Sequence, residues 1–372
     1  MMNIDRYQRH SLIDWFSQDD VKASSFAVIG CGAVGNEVAK NLALLGVGRI
    51  DLFDFDTIEI HNLTRSVLFR ESDVGLNKAE VAGKRIKELD PNIDINVYSG
   101  DFWDLLSLEQ AKSYDCILCC VDNFEARIKL NQICLITGTN LINTGIDSKF
   151  SQIEIFPFKS GKYIACYECN LPNSAYERMQ KRYSCGWLKK ISFIEKKIPT
   201  TIITSSLTGS LAAANALNLI KDDSQHSAKR ILIDSFTGNS TLSTIEQSCT
   251  CPACSVMADH ISIAKGSAKI ESNHFLDLNE ADNITTSDPI LVSYRCVECN
   301  PNEEDSTKVF QCASKYDSSI TTCNTCETDS VDVTIKDSFS IDELIADFAG
   351  MEIPAKFIRF DNKDRTTIIE LE

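Results

Sequence analysis

Three glycines in the stretch GCGAVG have the spacing of a phosphate-binding loop. Gly30, Gly32 and Gly35 form the pattern G-x-G-x-x-G between an apolar run and a segment with helical periodicity. Such glycines let the backbone turn sharply and direct the N–H groups of a helix N-terminus at a phosphate. Asp54 follows after about 20 residues, where an acidic side chain can accept the ribose hydroxyls of a dinucleotide such as NAD. The pattern indicates nucleotide binding.

Two cations after Asp54 bear on which nucleotide is bound. The pyrophosphate of NAD is already bound by the glycine loop, so Arg65 and Lys78 are surplus for that ligand. ATP with Mg²⁺ presents a triphosphate, which needs more cationic donors and a carboxylate that holds the metal. Asp122, in CCVDN at the end of another apolar run, can supply that carboxylate. Taken alone, these side chains could equally be a solvated loop Arg and Lys and a capping Asp.

Paired cysteines suggest a metal site. Cys166, Cys169, Cys251 and Cys254 form two C-x-x-C pairs on either side of a long helical segment. Four thiolates at tetrahedral distances bind Zn²⁺ in a closed, structural site. A single pair could be redox-active, but two pairs favour zinc.

A second cysteine quartet lies in the polar C-terminal region. Its members are Cys296, Cys299, Cys323 and Cys326. A small unit there would need a metal to become stable, and we expect a second zinc site. The alternative is pairs of reduced thiols in a loop, and Cys312 between the pairs leaves the choice of ligands open.

Alternating strand and helix patterns must position the glycine loop and the acidic residues. From Phe26 to about Asn143, short apolar or β-branched runs alternate with helical periodicity, which favours βαβ units around a parallel sheet. The predicted strands are FAVIG, RIDLFDFD, INVYSG, DCILCCV and TNLIN, and the predicted helices are Asn36–Leu45, Leu76–Leu89 and Phe124–Thr137. The predicted fold class is α/β, with a doubly wound, Rossmann-like and mainly parallel sheet.

The pattern changes after Gly145. The runs SQIEIFPF, RILIDSF and STLSTIEQ predict antiparallel strands that extend the sheet, with a long helix near Ser206–Ile220 between them. Further on, GSAKIESNHFLDLNEADNITTSDP is interpreted as a linker or a loosely packed insertion. A helix near Ile341–Ala349 and the strands AKFIRF and TTIIEL then predict a small α+β unit. We therefore expect an N-terminal domain at 1–255 and a C-terminal domain at 256–372.

Charge and hydropathy restrict the class of protein. The 372 residues contain 37 Lys and Arg against 53 Asp and Glu, a formal net charge of −16. This charge repels nucleic acids and anionic membranes, so we expect neither as a partner. The N-terminus has no apolar core of the signal-peptide type, and no stretch of about 18 apolar residues occurs, so we expect a cytoplasmic protein. Of 16 cysteines, we expect small buried apolar side chains at Cys31, Cys116, Cys119, Cys120 and Cys134.

Five motifs, in order along the chain, resemble one family of enzymes. They are RYQRH at 6–10, GCGAVG at 30–35, DFDTIEIHNLTR at 54–65, DVGLNKAE at 73–80 and VDNFEAR at 121–127. They are similar to the adenylyltransferase family of ubiquitin-activating enzymes and of the molybdopterin and thiamine sulfur-carrier adenylyltransferases, the ThiF–MoeB–HesA group. The resemblance covers about 1–255. It departs at Ser66, where the family often has Gln after Arg65, and we assign no role to this position.

The resemblance implies roles for the residues in these motifs. The implied nucleotide site consists of the three glycines and of Asp54, Asp56, Asn62, Arg65, Lys78 and Asp122. Asp54 would bind ribose, three of the others (Asn62, Arg65 and Lys78) would contact the triphosphate, and Asp122 would hold Mg²⁺. Arg9 would reach the phosphates from a partner subunit, which implies a homodimer. Bacterial members of the family often carry a zinc knuckle where the first cysteine quartet lies.

Cys185 is the candidate nucleophile. It lies in RYSCGWLKKISFIEKK, where nearby cations would lower the pKa of a thiol towards the reactive range. In the family that the chain resembles, a cysteine on this crossover segment, here 173–199, takes the activated acyl group as a thioester. We expect Asn173–Lys197 to be poorly ordered without ligand, because the thiol must reach the adenylate. The alternative is a packing or incidental thiol.

The function expected from the resemblance is ATP-dependent adenylation of the C-terminal carboxylate of a ubiquitin-like or sulfur-carrier protein. Thioester formation on Cys185 and transfer to a partner, such as a conjugating enzyme, would follow. An alternative adenylates a sulfur carrier or a modified tRNA and makes no enzyme thioester. An NAD-dependent dehydrogenase and a catalytically inactive scaffold are more remote. The sequence has no rhodanese-like extension, and residues 260–372 are a hypothetical docking region for the partner.

Overall fold

The computed structural model describes most of the chain. It covers residues 6–160, 164–172, 199–221, 227–255, 257, 260–269, 281, 283–300, 302, 306–315, 323–328, 330–362 and 364–372. The chain divides into two compact units. The first contains Met1–Asn170 and Ile198–Ser255, and the second contains Val256–Glu372.

In the described part of the first unit, the strands form one eight-stranded sheet. The strands are β1 (Ser25–Ile29), β2 (Arg49–Phe53), β3 (Asp94–Tyr98), β4 (Cys116–Cys119), β5 (Asn140–Ile146), β6 (Phe150–Phe156), β7 (Lys229–Asp234) and β8 (Ser240–Thr244). Their order across the sheet is β3-β2-β1-β4-β5-β6-β7-β8. The pairs from β3 to β5 are parallel, and the pairs from β5 to β8 are antiparallel. The predicted fold, a doubly wound, mainly parallel sheet with an antiparallel extension, is confirmed.

Helices pack on this sheet. They are α1 (Gln18–Ala23), α2 (Ala33–Leu45), α3 (Lys78–Leu89), α4 (Phe102–Leu105), α5 (Leu108–Lys112), α6 (Phe124–Thr137) and α7 (Ile202–Lys221). Helix α2 packs between α3 and α7, and α5 packs on α6. Of all the helices in the described ranges, none combines the length and the hydropathy that a membrane span requires.

The starts of three helices differ from the predicted residues: α2 and α7 begin three and four residues earlier, and α3 begins two residues later. Helix α2 begins earlier than predicted, directly after Gly32. Helix α3 begins later than predicted because Asn77 caps it. The Oδ1 atom of Asn77 accepts hydrogen bonds from the backbone N–H groups of Ala79 and Glu80 at 2.9 and 3.1 Å, an arrangement that asparagine favours at the N-cap. Helix α6 has the predicted bounds.

The central strands are buried, which explains their continuous apolar sequences. In β1 and β4 the last four residues of each strand are all buried. The cysteines of this region share that environment: Cys31, Cys116, Cys119 and Cys134 are buried, and Cys120 is half-buried. Burial raises the pKa of all five thiols. They therefore act as small apolar side chains, as predicted.

The second unit has its own, mostly antiparallel sheet. Its strands are β9 (His260–Gly266), β10 (Asn283–Cys296), β11 (Thr307–Cys312), β12 (Val331–Phe339), β13 (Phe357–Asp361) and β14 (Arg365–Leu371), with helix α8 (Ile341–Asp347) after β12. The strand order is β11-β10-β13-β14-β9, and β12 also pairs with β10. The helix and the last two strands occur where the sequence predicts them, and their apolar residues form a core with Ile284, Ile290 and Val292 of β10.

The interpretation of residues 266–289 as a linker is wrong at the C-terminal end of that segment. The run NITTSDP belongs to β10, in which Ile284, Thr286 and Asp288 are buried on one face. The hydroxyl of Thr286 donates to the backbone oxygen of Asp288 at 2.8 Å, which satisfies a polar side chain inside the unit. Pro289 lies at a register shift in the pairing of β10 with β12, where a strand tolerates proline. The polar composition of this segment made its alternation of buried and exposed residues, which is typical of a strand, hard to recognise from the sequence.

A buried carboxylate, Asp51, organises the polar side chains beside β2. Asp51 is 0% exposed, and its oxygens accept hydrogen bonds from Tyr114 at 2.5 Å, from Asn96 at 2.9 Å and from Gln110 at 3.2 Å. The guanidinium of Arg49 donates to both oxygens, at 2.8 and 2.6 Å. Burial by itself would raise the pKa of Asp51, but the hydrogen bonds from Arg49, Tyr114 and Asn96 outweigh it and lower this pKa below its ordinary value. The carboxylate of Asp51 is therefore ionised, and each of its oxygens accepts at least two hydrogen bonds.

We expect Asp51→Ala to lower the free energy of unfolding of the first unit by about 3 kcal/mol, because it leaves buried donors without a partner. Urea titration followed by tryptophan fluorescence measures this, since Trp15 and Trp103 lie in the first unit. Because the folded pKa is depressed, the contribution is present above an ordinary pKa of about 3.9 and disappears as the pH falls below it. The matched control is Asp104→Ala, at an exposed position. Equal midpoints for the two variants at pH 7 would contradict the assignment.

Candidate nucleotide site and cysteine clusters

The glycine loop joins β1 to α2 at the carboxyl edge of the sheet. β1 lies between β2 and β4, so the strand order runs outward from β1 in one direction to β3 and in the other direction to β5. Open α/β sheets bind their ligands at the point where the strand order reverses in this way. Gly30 has a φ of +89°, and a Cβ atom there would lie 2.9 Å from the carbonyl oxygen of Cys120. A Cβ atom on Gly35 would lie 1.9 Å from the carbonyl oxygen of Gly30. The turn is therefore closed to any side chain at its first and third glycines.

Asp54 supports the glycine loop. Its Oδ2 accepts a hydrogen bond from the backbone N–H of Cys31 at 2.6 Å, and its Oδ1 accepts one from the backbone N–H of Asp56 at 2.8 Å. Burial raises the pKa of Asp54, while these backbone donors and the ammonium of Lys78 act against that rise. Each oxygen keeps a lone pair for a further donor, so the carboxylate can also accept a ribose hydroxyl.

Lys78 lies at the first position of α3, beside the same loop. Its Nζ is 2.7 Å from Oδ2 of Asp56, and the Lys78 side chain is 12% exposed against 52% for Asp56. The Nδ2 of Asn77 donates to the backbone oxygen of Asp54 at 3.0 Å. The start of α3 and the segment from Asp54 to Asp56 are thus held as one piece, with a partly buried cation at its surface.

Asn62 and Arg65 belong to a short 3-10 helix, Ile60–Thr64, and its C-cap. The Oδ1 of Asn62 accepts from the backbone N–H of Glu59 at 2.9 Å, which fixes the first turn. The Nη1 of Arg65 donates to the backbone oxygen of His61 at 2.9 Å, and both side chains are half-buried. The remaining N–H donors of this guanidinium can bind a phosphate.

A residue that the sequence reasoning missed, Asn36, connects the backbone just after Arg65 to the glycine loop. Asn36 is 0% exposed in the interior of α2. Its Nδ2 donates to the backbone oxygens of Cys31 at 2.6 Å and Gly32 at 3.1 Å, and its Oδ1 accepts from the backbone N–H of Leu68 at 2.9 Å. The available signal was an asparagine at a core-facing position of the helix AVGNEVAKNLALL, where this residue type has low helix propensity.

Asp122 is exposed in the loop between β4 and α6. Among the residues that the structure describes, no side chain forms an ion pair or a hydrogen bond with its carboxylate. The loop itself is held by Arg127, which the sequence reasoning did not single out. Arg127 donates to the backbone oxygens of Val121 at 2.5 Å and Thr144 at 2.6 Å. The carboxylate of Asp122 is therefore presented to solvent on a fixed loop.

Arg127 begins a line of polar side chains across the antiparallel extension. It also donates to Oδ1 of Asn143 in β5, whose Nδ2 donates to Glu154 in β6 at 2.6 Å. Glu154 is 2% exposed and accepts two bonds from Arg230 in β7, at 2.9 and 2.6 Å. The register places these three residues directly opposite each other across the sheet. The buried carboxylate of Glu154 is thus bonded directly to Arg230 in β7 and, through the amide of Asn143, to Arg127 at the Asp122 loop.

Arg9 follows Tyr7, which lies at the amino ends of the parallel strands, on the side of the sheet opposite the glycine loop. The hydroxyl of Tyr7 forms a hydrogen bond with Asp90 beyond the end of α3. The Tyr7 ring also covers Gly46 at the end of α2, where a Cβ atom would lie 2.3 Å from the Cζ atom of Tyr7. Helices α2 and α3 have 13 and 12 residues and are each about 18–20 Å long. Both begin at the side of the sheet that carries the glycine loop, so the exposed Arg9 is about one helix length from the glycine loop of the same chain.

The first cysteine quartet converges at one point. The four Sγ atoms of Cys166, Cys169, Cys251 and Cys254 all lie within 4.8 Å of one another, and those of the second quartet do so in the other unit. In the first quartet, Sγ atoms are 3.6 Å apart for Cys166 and Cys251, and 3.3 Å apart for Cys169 and Cys254. A tetrahedral zinc with Zn–S distances of about 2.3 Å has sulfurs about 3.8 Å apart. Asn131 in α6 holds the first pair in place by accepting from the backbone N–H of Tyr167 at 3.0 Å.

Comparison with known proteins identifies the family to which this chain belongs. The model of the ThiF family matches residues 6–256. The chain belongs to the ThiF family. The match spans the glycine loop, α3, the Asp122 loop and the first cysteine quartet, and it confirms the family that the sequence motifs predict.

Individual relatives of this ThiF-family chain differ in how much of their length they share with it. A sulfur carrier protein adenylyltransferase of Thermus thermophilus is 28% identical, and the match covers 68% of this chain and 90% of the relative. Ubiquitin-like modifier-activating enzyme 5 of Drosophila virilis is 28% identical, but the match covers 54% of this chain and 51% of the relative. The structure of E. coli MccB with ATP has a TM-score of 0.53 and 26% identity, covering 68% of this chain and 74% of that chain.

The remaining cysteines of the ThiF-family chain have different environments. Cys249 is exposed, and Cys312 is buried. The sequence reasoning passed over Cys249, although its place in CTCPAC puts it outside the C-x-x-C spacing. Cys185 lies outside the described residues, as does its crossover up to residue 198, so the predicted disorder of that segment stays a prediction.

We expect Cys169→Ser to reduce the zinc content of the purified chain by one ion, because three thiolates and a hydroxyl hold zinc much more weakly than four thiolates. Mass spectrometry under native conditions counts the metal directly. The control is Cys249→Ser, at an exposed cysteine close to Cys251 in sequence, which should retain the wild-type count. An unchanged count in Cys169→Ser would mean that this quartet is not a zinc site.

Proposed function

We propose that the chain catalyses ATP-dependent adenylation of the C-terminal carboxylate of a ubiquitin-like or sulfur-carrier protein. The observation that carries the proposal is the convergence of a glycine loop, a ribose-type carboxylate, the cation of Lys78 and the exposed carboxylate of Asp122 at one edge of the sheet. The two relatives described above carry the names of an adenylyltransferase and of an activating enzyme, which bears out the prediction of an enzyme of this class.

In the proposed complex, each part of the site meets one part of the nucleotide. Asp54 accepts the ribose hydroxyls while it continues to support the glycine loop. Asn62, Arg65 and Lys78 bind the triphosphate, for which Lys78 exchanges its bond with Asp56 for one with a phosphate oxygen. Mg²⁺ would be held by Asp122, a hard oxygen ligand, and would neutralise phosphate charge. The structure of the similar protein E. coli MccB with ATP supports this choice of ATP over NAD.

The chemical step needs positioning and charge neutralisation. A carboxylate oxygen of the acyl substrate forms a bond to the α-phosphorus, and the bond from that phosphorus to the pyrophosphate breaks. Arg65 and Lys78 stabilise the negative charge that grows on the leaving pyrophosphate. The chain does not have to supply a general base, because the attacking carboxylate is already ionised at neutral pH. The products are an acyl adenylate and pyrophosphate.

Arg9 completes the site from a partner subunit in this proposal. Its distance from the glycine loop of its own subunit, about one helix length, leaves a second copy of the chain as the source of this guanidinium. The protein would therefore act as a homodimer in which each N-terminal segment serves the other subunit's phosphates.

Capture of the acyl group is the second step of the proposal. The Cys185 thiolate attacks the carbonyl carbon of the acyl adenylate, AMP leaves, and a thioester forms. A partner such as a conjugating enzyme, docked on residues 260–372, would then receive the acyl group. The alternative is adenylation of a sulfur carrier or a modified tRNA without an enzyme thioester, and the same experiment distinguishes it.

Nucleotide affinity tests the first step without knowledge of the acyl substrate. We expect Lys78→Ala to weaken binding of the ATP analogue AMPCPP with Mg²⁺ by about 10- to 100-fold, the effect of losing one charge-assisted hydrogen bond. Isothermal titration calorimetry measures the dissociation constant. The control is Lys84→Ala, at an exposed position on the same helix, which should bind as the wild type does. If the two variants bound the analogue equally well, the proposed nucleotide site would be wrong.

Covalent capture tests the second step and identifies the substrate. Tagged wild type and Cys185→Ala are recovered from cells of the native host, washed in denaturant without reductant, and treated with a thiol reductant before mass spectrometry. We expect a small protein to be released from the wild type and from the exposed-thiol control Cys249→Ala, but not from Cys185→Ala. Release from Cys185→Ala would assign the capture to another thiol. No release from any variant would favour adenylation without an enzyme thioester.

A further inference from the structure

The second cysteine quartet has the geometry of a mononuclear metal site. The Sγ atoms of Cys296 and Cys326 are 3.5 Å apart, those of Cys299 and Cys323 are 3.8 Å apart, and all four lie within 4.8 Å of one another. These distances are close to the separation of about 3.8 Å expected around one tetrahedral zinc. A multi-iron cluster places several atoms between its cysteines and would hold the sulfurs further apart.

From this geometry we infer that the C-terminal unit binds one Zn²⁺ through these four thiolates. The ThiF-family match ends at residue 256, so the site belongs to a part of the chain that the family relationship does not cover. The inference also does not depend on the proposed adenylation, because it concerns the stability of a separate unit.

Groups around the sulfurs are arranged to stabilise thiolates. The backbone N–H of Cys299 points at Sγ of Cys296, and that of Thr325 points at Sγ of Cys323, each at 3.4 Å. Two hydroxyl groups also contact the sulfurs: Oγ of Ser330 is 3.3 Å from Sγ of Cys296, and Oγ1 of Thr328 is 2.9 Å from Sγ of Cys326. Such donors offset the negative charge of four thiolates on one Zn²⁺ and orient the ligands.

The position of the quartet explains why this unit would need the metal. Cys296 is the last residue of β10, and it pairs with Val331, the first residue of β12. The apolar core of the unit includes Ile284, Ile290 and Val292 of β10, and among the described residues it does not extend to the end of the strand at Cys296. Zinc would fasten β10 to β12 at the end of the sheet that the core leaves without support.

Cys312 is excluded as a ligand by strand register, which resolves the choice that the sequence left open. It pairs with Ile290 in β10, six positions before Cys296 and so about 20 Å away along the strand. Its Sγ is 3.0 Å from the hydroxyl oxygen of Ser314. Cys312 therefore provides a matched control within the same unit.

The test counts zinc in the full-length chain by native mass spectrometry, with hydrogen–deuterium exchange on the same samples. We expect two zinc ions in the wild type and in Cys312→Ser, and one in the double variant Cys299→Ser with Cys323→Ser. In the double variant, backbone exchange should become faster at Tyr294–Cys296 and at Val331–Val333, and should not change in β1 to β5. Cys169→Ser should lose the other ion.

Three results would overturn the inference. They are a single zinc in the wild type, an unchanged count in the double variant, or iron in place of zinc at this quartet. If the double variant loses the fold of its C-terminal unit, the fluorescence of Trp15 and Trp103 still reports on the first unit and the count of one zinc still supports the inference. Wild-type affinity of the double variant for AMPCPP separates this outcome from any failure of the proposed function.

Discussion

The three hydrogen bonds of the Asn36 side chain set the geometry on which the nucleotide site depends. They join the backbone of the glycine loop to the backbone just after Arg65, through an amide that has no access to solvent. Each backbone group left without this partner would cost about 1–3 kcal/mol in the buried interior. Two loops that are far apart in sequence are therefore positioned by one helix, and the distance between them is fixed before any ligand arrives.

The same division of work occurs around the rest of the site. Asp54 accepts a hydrogen bond from the backbone, and Asn77 and Arg127 donate to backbone oxygens, so all three hold loops. Lys78 and Asp122 are presented at the surface of those loops, the first with an exchangeable partner and the second with none among the described side chains. Preorganised charges of this kind are effective because they do not need to rearrange when the reaction begins.

Much of this site could be predicted from the sequence because its signals are local. The glycine spacing, the bounds of α6 and the pairing of cysteines within each C-x-x-C follow from neighbouring residues. Asn36 and Arg127 could not be assigned in this way, because their partners are backbone atoms brought close only by the fold. The start of β10 was missed for a different reason: Thr286 and Asp288 look like linker residues until their burial and mutual hydrogen bond are seen. The exclusion of Cys312 required strand register.

The two cysteine quartets have the same ligands but close chain loops of very different length. In the first, Cys166 and Cys251 are 85 positions apart, whereas in the second Cys299 and Cys323 are 24 positions apart. The entropy of closing a flexible loop grows with the logarithm of its length, so the two closures differ by about 1 kcal/mol. The longer loop includes α7, β7, β8 and the part of the sequence that carries Cys185. A metal in the first quartet would therefore link parts of the chain that are far apart in sequence, whereas a metal in the second would link near neighbours.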